Sequence, residues 1–261
     1  MTIRGPDFAD RQWVAALAPP LAVRLYSDPP ETAVQRLLLL AVSLGVVYAW
    51  AALFARSGGR PLGRGLPAFA MTFVLLLPAG VAWDSAVVAL SFGAVFGREI
   101  FGGRPPLPPA LIGLSFAIFS FPDGGFETDG VLARSPDVLF AAACLPGAAL
   151  LMLRGSLAWQ VALGAVAGAA AVGLLMGDAE WWQHPGLGTF AAGVLFMAAV
   201  SGNAGTGQAA RWLHGLLVGA LIAMIRLATP EHPDGVISAV LLGALFAPLV
   251  DRVLSWRSSH G

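Results

Sequence analysis

The residues of this chain that could do chemistry are few. Its four histidines lie on different segments without ligand spacing, so we expect no metal site within the chain. Cys144 is the only cysteine, which excludes an internal disulfide or a cysteine-held iron–sulfur cluster. The sequence has no GxxxxGK(S/T) or GxSxG motif and no paired carboxylates on one helix face. We therefore expect no catalytic residue in the chain itself.

The stretch Ser91–Phe121 points instead to a binding site at a broken helix. An apolar helix meets Arg98-Glu99, breaks at Gly102-Gly103, and resumes from Ala110, after four prolines, as an apolar segment of 12 residues. Such a segment covers ~18 Å, whereas a bilayer core needs ~30 Å. Irregular backbone at membrane depth needs surrounding protein or water, so a broken helix there is a candidate ligand or ion site.

Two half-helices of this kind follow Pro/Gly breaks, at Pro109-Ala110 and at Asp234-Gly235. Their amino ends direct positive dipole ends inward and suit an anionic or carbonyl oxygen, although a protein partner could satisfy them equally. Arg226 ends the helix before the second break and is expected to pair with Glu231 or Asp234, or to reach the interface. Arg98 and Glu99 are expected to cap a helix end.

The composition indicates a membrane protein. The chain is 57% hydrophobic and 11% charged, against roughly 25% charged residues in soluble domains. Its net charge is zero, so nothing suggests nucleic acid as a partner. Arg56, Arg60 and Arg64 follow the first clear span, Ala33–Ala55, and place that loop in the cytoplasm by the positive-inside rule.

We predict an all-α, polytopic membrane helix bundle of about nine helices and half-helices. Residues 1–32 form an N-terminal interfacial segment whose apolar patch is split by Pro19-Pro20, residues 33–252 form the transmembrane domain, and residues 253–261 form a tail. Small residues along two spans predict close helix packing. Those residues are Ser91, Gly93 and Gly97 in the first case and Gly164, Gly168 and Gly173 in the second.

The two halves resemble each other, which predicts two pseudo-symmetric repeats with broken helices. In each half a short apolar helix precedes a longer one with small residues, a Pro/Gly break and an apolar return. Trp83 lies 15 residues before Arg98 in the first half, and Trp212 lies 14 residues before Arg226 in the second. Duplicated units of this kind are typical of transporters.

Two longer motifs resemble those of the NqrB/RnfD family, the large membrane subunits of the sodium-pumping NADH:quinone oxidoreductase and of the Rnf ferredoxin:NAD oxidoreductase. Ser91–Gly103 reads like that family's SFGxVxGKExFGG, and Pro109-Ala110 with Gly113 like its NPAxxG. Pro233–Gly235 with Leu245–Asp251 reads like its PDG…LFAPLxD. The resemblance runs from about residue 33 to 252.

The resemblance implies two repeats of five helices and flavin mononucleotide (FMN) joined through its phosphate to a Thr in a periplasmic loop. The acceptor motif reads like DGxTGATP: Asp129-Gly130 fits it and Ser135 falls at the acceptor position, but residues 132–134 depart from it. A phosphoester at Ser135, a phosphate held noncovalently by Arg134, and a solvated loop without cofactor all stay open. A flavin ring or a quinone suits the helix ends at Ala110 and Gly235, and a riboflavin or second flavin is a further alternative.

Other departures suggest reduced chemistry. The family's first helix is missing from the predicted set, and the acidic DG that opens its broken helix is represented only by Gly65-Leu66. The family's DP before the second polar loop is also absent near Ala199–Ser201. Losses of this kind remove polar groups that an ion path through the membrane would use.

Two hypotheses follow. In the first, the chain is a multi-pass inner-membrane subunit of a bacterial Rnf/Nqr-like redox complex, at most a non-autonomous part of an oxidoreductase. It then holds flavin among other membrane subunits and supports electron transfer coupled to Na⁺ or H⁺ movement. In the second, it is a cofactor-poor structural subunit of another energy-transducing complex, or a solute channel on the same repeat.

Overall fold

The computed structural model describes residues 6–59, 62–78, 81–121, 137–186, 189–200, 207–228 and 235–259, with side chains from residue 10 to 252. Its elements in those ranges are helical apart from one isolated bridge between Leu157 and Val200, which confirms the all-α prediction. The α-helices are α1 (Pro6–Ser27), α2 (Pro30–Gly58), α3 (Leu66–Leu76), α4 (Trp83–Gly97), α5 (Pro109–Ser120), α6 (Val138–Leu153), α7 (Trp159–Leu175), α8 (Phe190–Gly193), α9 (Gln208–Ala228) and α10 (Val236–Ser259).

Shorter helical turns complete the described ranges. Glu99–Phe101 and Trp181–Gly186 are 3₁₀ turns, and α8 continues directly into a π-helical segment, Val194–Ala198. The chain is broken after the first 3₁₀ turn at Gly102 and Gly103, whose φ angles of 71° and 75° are left-handed. Glycine adopts that conformation without steric cost, so the predicted break is confirmed.

Within the described ranges, two helices have the length and composition to cross a membrane. They are α2, with 29 residues, and α9, with 21 residues. The apolar helices α3, α5, α6 and α7 are shorter. Of these, α6 and α7 contain 16 and 17 residues.

The chain divides into two compact units. Unit 1 comprises residues 1–127 together with residues 143–151 of α6, and unit 2 comprises residues 128–142 and 152–261. Unit 1 therefore contains α1 to α5, and unit 2 contains α7 to α10. Helix α10 runs to Ser259, so the predicted start of a tail at residue 253 falls inside a helix.

The N-terminal stretch, which was predicted to be an interfacial segment, is helical. It forms helix α1, which makes ten α-helices in the described ranges rather than about nine, and it continues through Pro19 and Pro20. Proline removes a backbone donor and normally breaks a helix. Here Ala16 and Leu17 are fully buried, and Ala16 lies against Gly147 of α6, so tertiary packing overrides the local signal.

Helix α3 is the most buried element of unit 1. Phe73 and Val74 are fully buried, and α3 packs against α1, α2 and α5. Its sequence is apolar all round, which is the pattern of a helix surrounded by protein.

The predicted small-residue stripes lie at helix crossings. A Cβ on Gly93 of α4 would lie 2.6 Å from the Pro109 carbonyl oxygen of α5 and 3.0 Å from Gly113 Cα, so only glycine allows this approach. In unit 2, a Cβ on Gly164 of α7 would lie 2.9 Å from the Trp212 carbonyl oxygen of α9. Gly168, Gly215 and Gly219 are packed against backbone at the same crossing. Close helix packing at both stripes is confirmed.

Candidate functional site

Most of the residues predicted to bind a cofactor lie outside the described ranges. These are Asp129, Gly130, Arg134 and Ser135 of the flavin-attachment motif, and Asp234 at the second break. The chain resumes at Asp137, whose side chain accepts a hydrogen bond from the Phe140 N–H at 2.9 Å and caps α6. The Asp137 N–H donates to the Gly186 carbonyl oxygen at 3.0 Å, so the residue directly after the motif is anchored within unit 2.

Pro109 and Ala110 lie at the α4–α5 crossing. Pro109 is the first residue of α5, and its Cα would meet a Cβ on Gly97 at 3.2 Å. Ala110 is 2% exposed. The next two N–H groups, of Leu111 and Ile112, donate to the Pro108 carbonyl oxygen at 2.9 and 3.3 Å. This helix end is therefore largely occupied by packing against α4 and by its own hydrogen bonds.

Gly235 precedes α10 and is buried against α9. A Cβ there would collide with the Ile225 side chain, and its carbonyl oxygen accepts the Ala239 N–H at 2.9 Å. Helix α10 therefore begins where the half-helix was predicted, at a position where the α9 side chain leaves no room for a larger residue. It runs for 24 residues, so it is longer than the half-helix that was expected.

Arg98 and Glu99 form a buried ion pair just after α4. The residues are 2% and 6% exposed, and Arg98 Nη2 also donates to the Arg64 carbonyl oxygen at 2.9 Å. Gly63 lies against the same guanidinium, where any side chain would collide with it. The pair was predicted to cap a helix end. In the structure, the Arg98 guanidinium instead binds the backbone that leads into α3.

Arg226, in the last turn of α9, holds a loop in unit 2 through a similar contact. Its Nη1 donates to the His184 carbonyl oxygen at 2.7 Å, and its guanidinium carbon lies 5.7 Å from the centre of the Phe190 ring. Its predicted carboxylate partners, Glu231 and Asp234, fall outside the described residues. The predicted repeat places Arg98 and Arg226 at corresponding positions. Each of them donates to a carbonyl oxygen in the backbone that leads into a short helix.

His184 belongs to a small polar cluster in the loop before α8. Its Nε2 lies 2.9 Å from Asp178 Oδ2, and the residue is 5% exposed. Burial lowers the pKa of the His184 imidazole, the charge of Arg226 lowers it further, and Asp178 opposes both. The imidazole is therefore held in its neutral form to lower pH than an exposed histidine.

Two charged residues that sequence reasoning missed hold the ends of α3. Asp10 Oδ1 of α1 accepts the Gly65 N–H at 2.8 Å, directly before α3. At the other end, Arg36 Nη1 of α2 donates to the carbonyl oxygens of Val74 and Leu77 at 3.0 and 3.2 Å. An anion at the amino end and a cation at the carboxyl end both match the helix dipole.

Asp10 also changes one prediction. The acidic residue of the family's DG motif is absent before Leu66, and its loss was expected to remove a polar group there. The structure brings a carboxylate to the same helix end from α1. Asp10 and Gly65 are 55 residues apart, so no local pattern could have indicated the contact.

Comparison with known proteins gives one family over almost the whole chain. A family model described as the NQR2, RnfD, RnfE family matches residues 9–132 and 128–259. The boundary between the two matched segments falls close to residue 128, where the first of the divisions between the two compact units also falls. The matched segments also reach beyond residues 33–252, the range predicted from the motifs, and include α1 from residue 9.

Relatives that are named as subunits of Na(+)-translocating NADH-quinone reductase are similar over most of this chain. The protein from Azotobacter vinelandii is 29% identical over 263 residues, covering 82% of this chain and 65% of the relative. Those from Chromohalobacter salexigens and Pseudomonas aeruginosa are each 28% identical and cover 81% and 78% of this chain. They are covered over 63% and 62% of their own length, so the chain spans less than two thirds of these relatives.

Proposed function

The chain belongs to the NQR2, RnfD, RnfE family, and on that premise we propose that it is an integral membrane subunit of an Rnf/Nqr-like redox complex. In this role it holds flavin and supports electron transfer coupled to movement of Na⁺ or H⁺ across a bacterial inner membrane. Other subunits supply the electron donor and acceptor, with a quinone as one candidate acceptor. The family match over both units is the observation that carries the proposal.

The broken helices support this role. Each unit contains a short helix that is too short to cross a bilayer, α3 in unit 1 and α8 with its π segment in unit 2. In each, a buried arginine donates to the backbone that leads into the short helix. Such interrupted helices provide backbone groups at membrane depth, where polar ligands and ions are held. The correspondence of Arg98 and Arg226 also supports two pseudo-symmetric repeats.

Flavin attachment at residues 129–136 is the first part of the proposal to test. The whole chain is purified from its native membrane, and its intact mass and in-gel fluorescence are measured after denaturation. A phosphoester at Ser135 gives a mass increase of one FMN less one water, together with a fluorescent band. Ser135→Ala abolishes both, Ser135→Thr keeps them, and Ser57→Ala, at an exposed serine of α2, leaves them unchanged.

The same preparation distinguishes the alternatives. If Arg134 holds the phosphate noncovalently, denaturation releases flavin into solution and Arg134→Ala reduces the amount recovered. If the purified chain retains no flavin by either measure, flavin binding is contradicted and the cofactor-poor structural subunit is favoured. The departures at residues 132–134 and the packing of Pro109 and Ala110 against α4 are the observations that favour this second candidate.

A further inference from the structure

One end of unit 1 combines exposed arginines with exposed apolar side chains, and the proposed function gives this end no role. Two segments meet there at Arg98, whose Nη2 donates to the Arg64 carbonyl oxygen at 2.9 Å. This hydrogen bond joins the backbone before α3 to the 3₁₀ turn Glu99–Phe101, which also contacts α2. Helix α2 itself ends at Gly58, shortly before Arg64. The end of α2, the backbone before α3 and the 3₁₀ turn therefore lie together.

Exposed arginines lie on all three of these segments. Arg56 is in the last turn of α2, Arg64 precedes α3, and Arg104 follows the 3₁₀ turn. Arg11, which is also exposed, lies on α1 next in sequence to Asp10, and Asp10 binds the backbone before α3. None of the four arginines has an ion-pair partner among the described residues.

The described acidic side chains at this end are already engaged. Glu99 is buried in its ion pair with Arg98, and Asp10 accepts the Gly65 N–H at 2.8 Å. Neither carboxylate can pair with an exposed arginine without giving up its own contact. This end of unit 1 therefore presents positive charge to its surroundings, although the net charge of the chain is zero.

Exposed apolar side chains lie on two of the same segments. Leu62, before α3, is 51% exposed, and Ile100 and Phe101 of the 3₁₀ turn are 53% and 49% exposed. The backbone holds this turn in place, since the Gly103 N–H donates to the Arg98 carbonyl oxygen at 3.2 Å. Single exposed apolar residues are ordinary, but a group of them on adjoining segments marks an interaction surface.

Arginines and apolar side chains on one surface match the chemistry of an anionic phospholipid. The chain contains 15 arginines and no lysine, and the planar guanidinium group binds phosphate through two parallel hydrogen bonds. Apolar side chains beside such cations suit the boundary between lipid headgroups and acyl chains. A free phosphate would contact only the arginines, whereas a phospholipid contacts both parts of the surface.

The position of this surface also favours a lipid. It lies at the end of α2, which has the length and composition to cross a membrane. A negatively charged membrane surface attracts basic residues that directly follow a membrane helix, and each of them contributes to the attraction.

We propose that the end of unit 1 formed by Arg56, Arg64, Arg104 and the apolar residues around them binds an anionic phospholipid. The three guanidinium groups bind the phosphate, and the acyl chains lie beside the exposed apolar side chains of the 3₁₀ turn. The buried pair of Arg98 and Glu99 keeps the segments that carry these groups together. The inference rests on the membrane role in the proposed function, and it does not depend on whether the chain holds a flavin.

Native mass spectrometry of the whole chain, released from detergent micelles, tests the lipid preference. Phosphatidylglycerol and phosphatidylcholine with the same acyl chains are added in turn, and glycerol 1-phosphate serves as a headgroup without acyl chains. We expect phosphatidylglycerol to bind more tightly than phosphatidylcholine, and glycerol 1-phosphate not to bind at the same concentration.

Single variants test the arginines and the apolar side chains. Arg56→Gln, Arg64→Gln and Arg104→Gln should each weaken the binding of phosphatidylglycerol about fivefold. Arg154→Gln, at an exposed arginine of unit 2, should leave it unchanged. Phe101→Asp should also weaken it, because the carboxylate repels the phosphate and the apolar contact is lost. Unchanged melting temperatures in detergent show that the variants are folded.

Several outcomes would overturn the lipid site. Equal affinities for the two lipids, or a preference that all three arginine variants keep, would do so. Binding of glycerol 1-phosphate as tight as that of the lipid would overturn the role of the apolar side chains. An acidic protein that co-purifies with the chain, and is lost from arginine variants whose lipid preference is unchanged, would assign this end to a protein partner instead.

Alkaline carbonate treatment of native membranes tests the membrane role separately. A chain that the treatment releases would contradict the proposed function and the lipid site together. A chain that stays in the membrane but shows no lipid preference would contradict the lipid site alone.

Discussion

The inner short helix of each unit is held at its ends in a different way. In unit 1, charged side chains of neighbouring helices form hydrogen bonds with both ends of α3. Asp10 binds the amino end and Arg36 binds the carboxyl end. In unit 2, α8 passes into the π segment, and the end of that segment is held by main chain. There the Ala158 N–H donates to the Ala199 carbonyl oxygen at 2.8 Å.

The difference separates a rigid element from an adjustable one. A displacement of α3 would leave Arg36 Nη1 and two carbonyl groups without partners in a buried environment, which is costly. The π segment already departs from α-helical spacing, and a main-chain contact can re-form at a neighbouring residue. The carboxyl end of the π segment is therefore where a local rearrangement costs least.

The largest expected effect comes from replacing Arg36, which binds the carboxyl end of α3 in unit 1. Arg36→Met leaves Asp28 and the carbonyls of Val74 and Leu77 without their partner, because Arg36 Nε also donates to Asp28 Oδ2 at 2.7 Å. We expect a loss of about 3–5 kcal/mol in the free energy of unfolding, measured by denaturant titration in micelles. Arg56→Met, at an exposed arginine of the same helix, should change it by less than about 0.5 kcal/mol. Equal effects at the two positions would contradict a stabilising contact between Arg36 and the end of α3.

The next largest effect is expected when a glycine at a helix crossing is replaced by alanine. The loss of stability should be larger at the crossing in unit 2. Gly219→Ala places a methyl group on the Ala165 backbone, and we expect it to cost about 1–3 kcal/mol. Gly93→Ala should cost less, because its nearest contact is 2.6 Å away and the α4–α5 crossing is less close. Gly45→Ala meets nothing within 4 Å and should gain up to about 1 kcal/mol from helix propensity. Thermal unfolding of the three variants would show the order, and a stabilising Gly219→Ala would refute the close crossing.

A smaller effect is expected at the amino end of α3. Asp10→Ala removes the acceptor of the Gly65 N–H and should cost about 1 kcal/mol, the usual value for loss of a helix cap. Asp10→Asn keeps an acceptor but loses the charge, so it should cost less. Glu31→Ala, at an exposed residue in the first turn of α2, serves as the control for loss of one carboxylate. If Asp10→Ala matches Glu31→Ala in chemical denaturation, the contact contributes nothing specific.

The smallest expected effect is on the pH dependence of stability, which should involve His184 of unit 2 and no corresponding residue of unit 1. Because burial and Arg226 lower the pKa of His184 in the folded chain, the unfolded chain binds more protons there below about pH 6.5. The contribution of the neutral His184 imidazole to the free energy of unfolding is therefore fully present above that pH and is lost as the pH falls. Melting temperatures at pH 5 and pH 7.5 should differ less in His184→Gln than in the unaltered chain. The corresponding loop of unit 1 contains Arg64 and no histidine, so Arg64→Gln should leave the pH dependence as it is.

Some features of the fold were predictable because they are local. Apolar runs and the Gly102-Gly103 break placed α3, α4 and α5 to within a few residues, since helix propensity and glycine's backbone freedom depend on the residue itself. The stripes at Gly93 and Gly164 predicted close crossings because a missing side chain is visible in the sequence. In the N-terminal stretch, α1 continues through Pro19 and Pro20, where the packing of Ala16 and Leu17 overrides the local signal of the two prolines.

The sequence by itself determined the family, the helical class and the breaks between helices, because motifs, apolar runs and glycines are read along the chain. Only the tertiary structure decided which charged groups meet. The contacts of Asp10 with Gly65, Arg36 with Val74 and Arg226 with His184 join residues 55, 38 and 42 positions apart. A hydrogen bond depends on a distance of about 3 Å in space, and sequence separation alone places no limit on that distance once the helices pack.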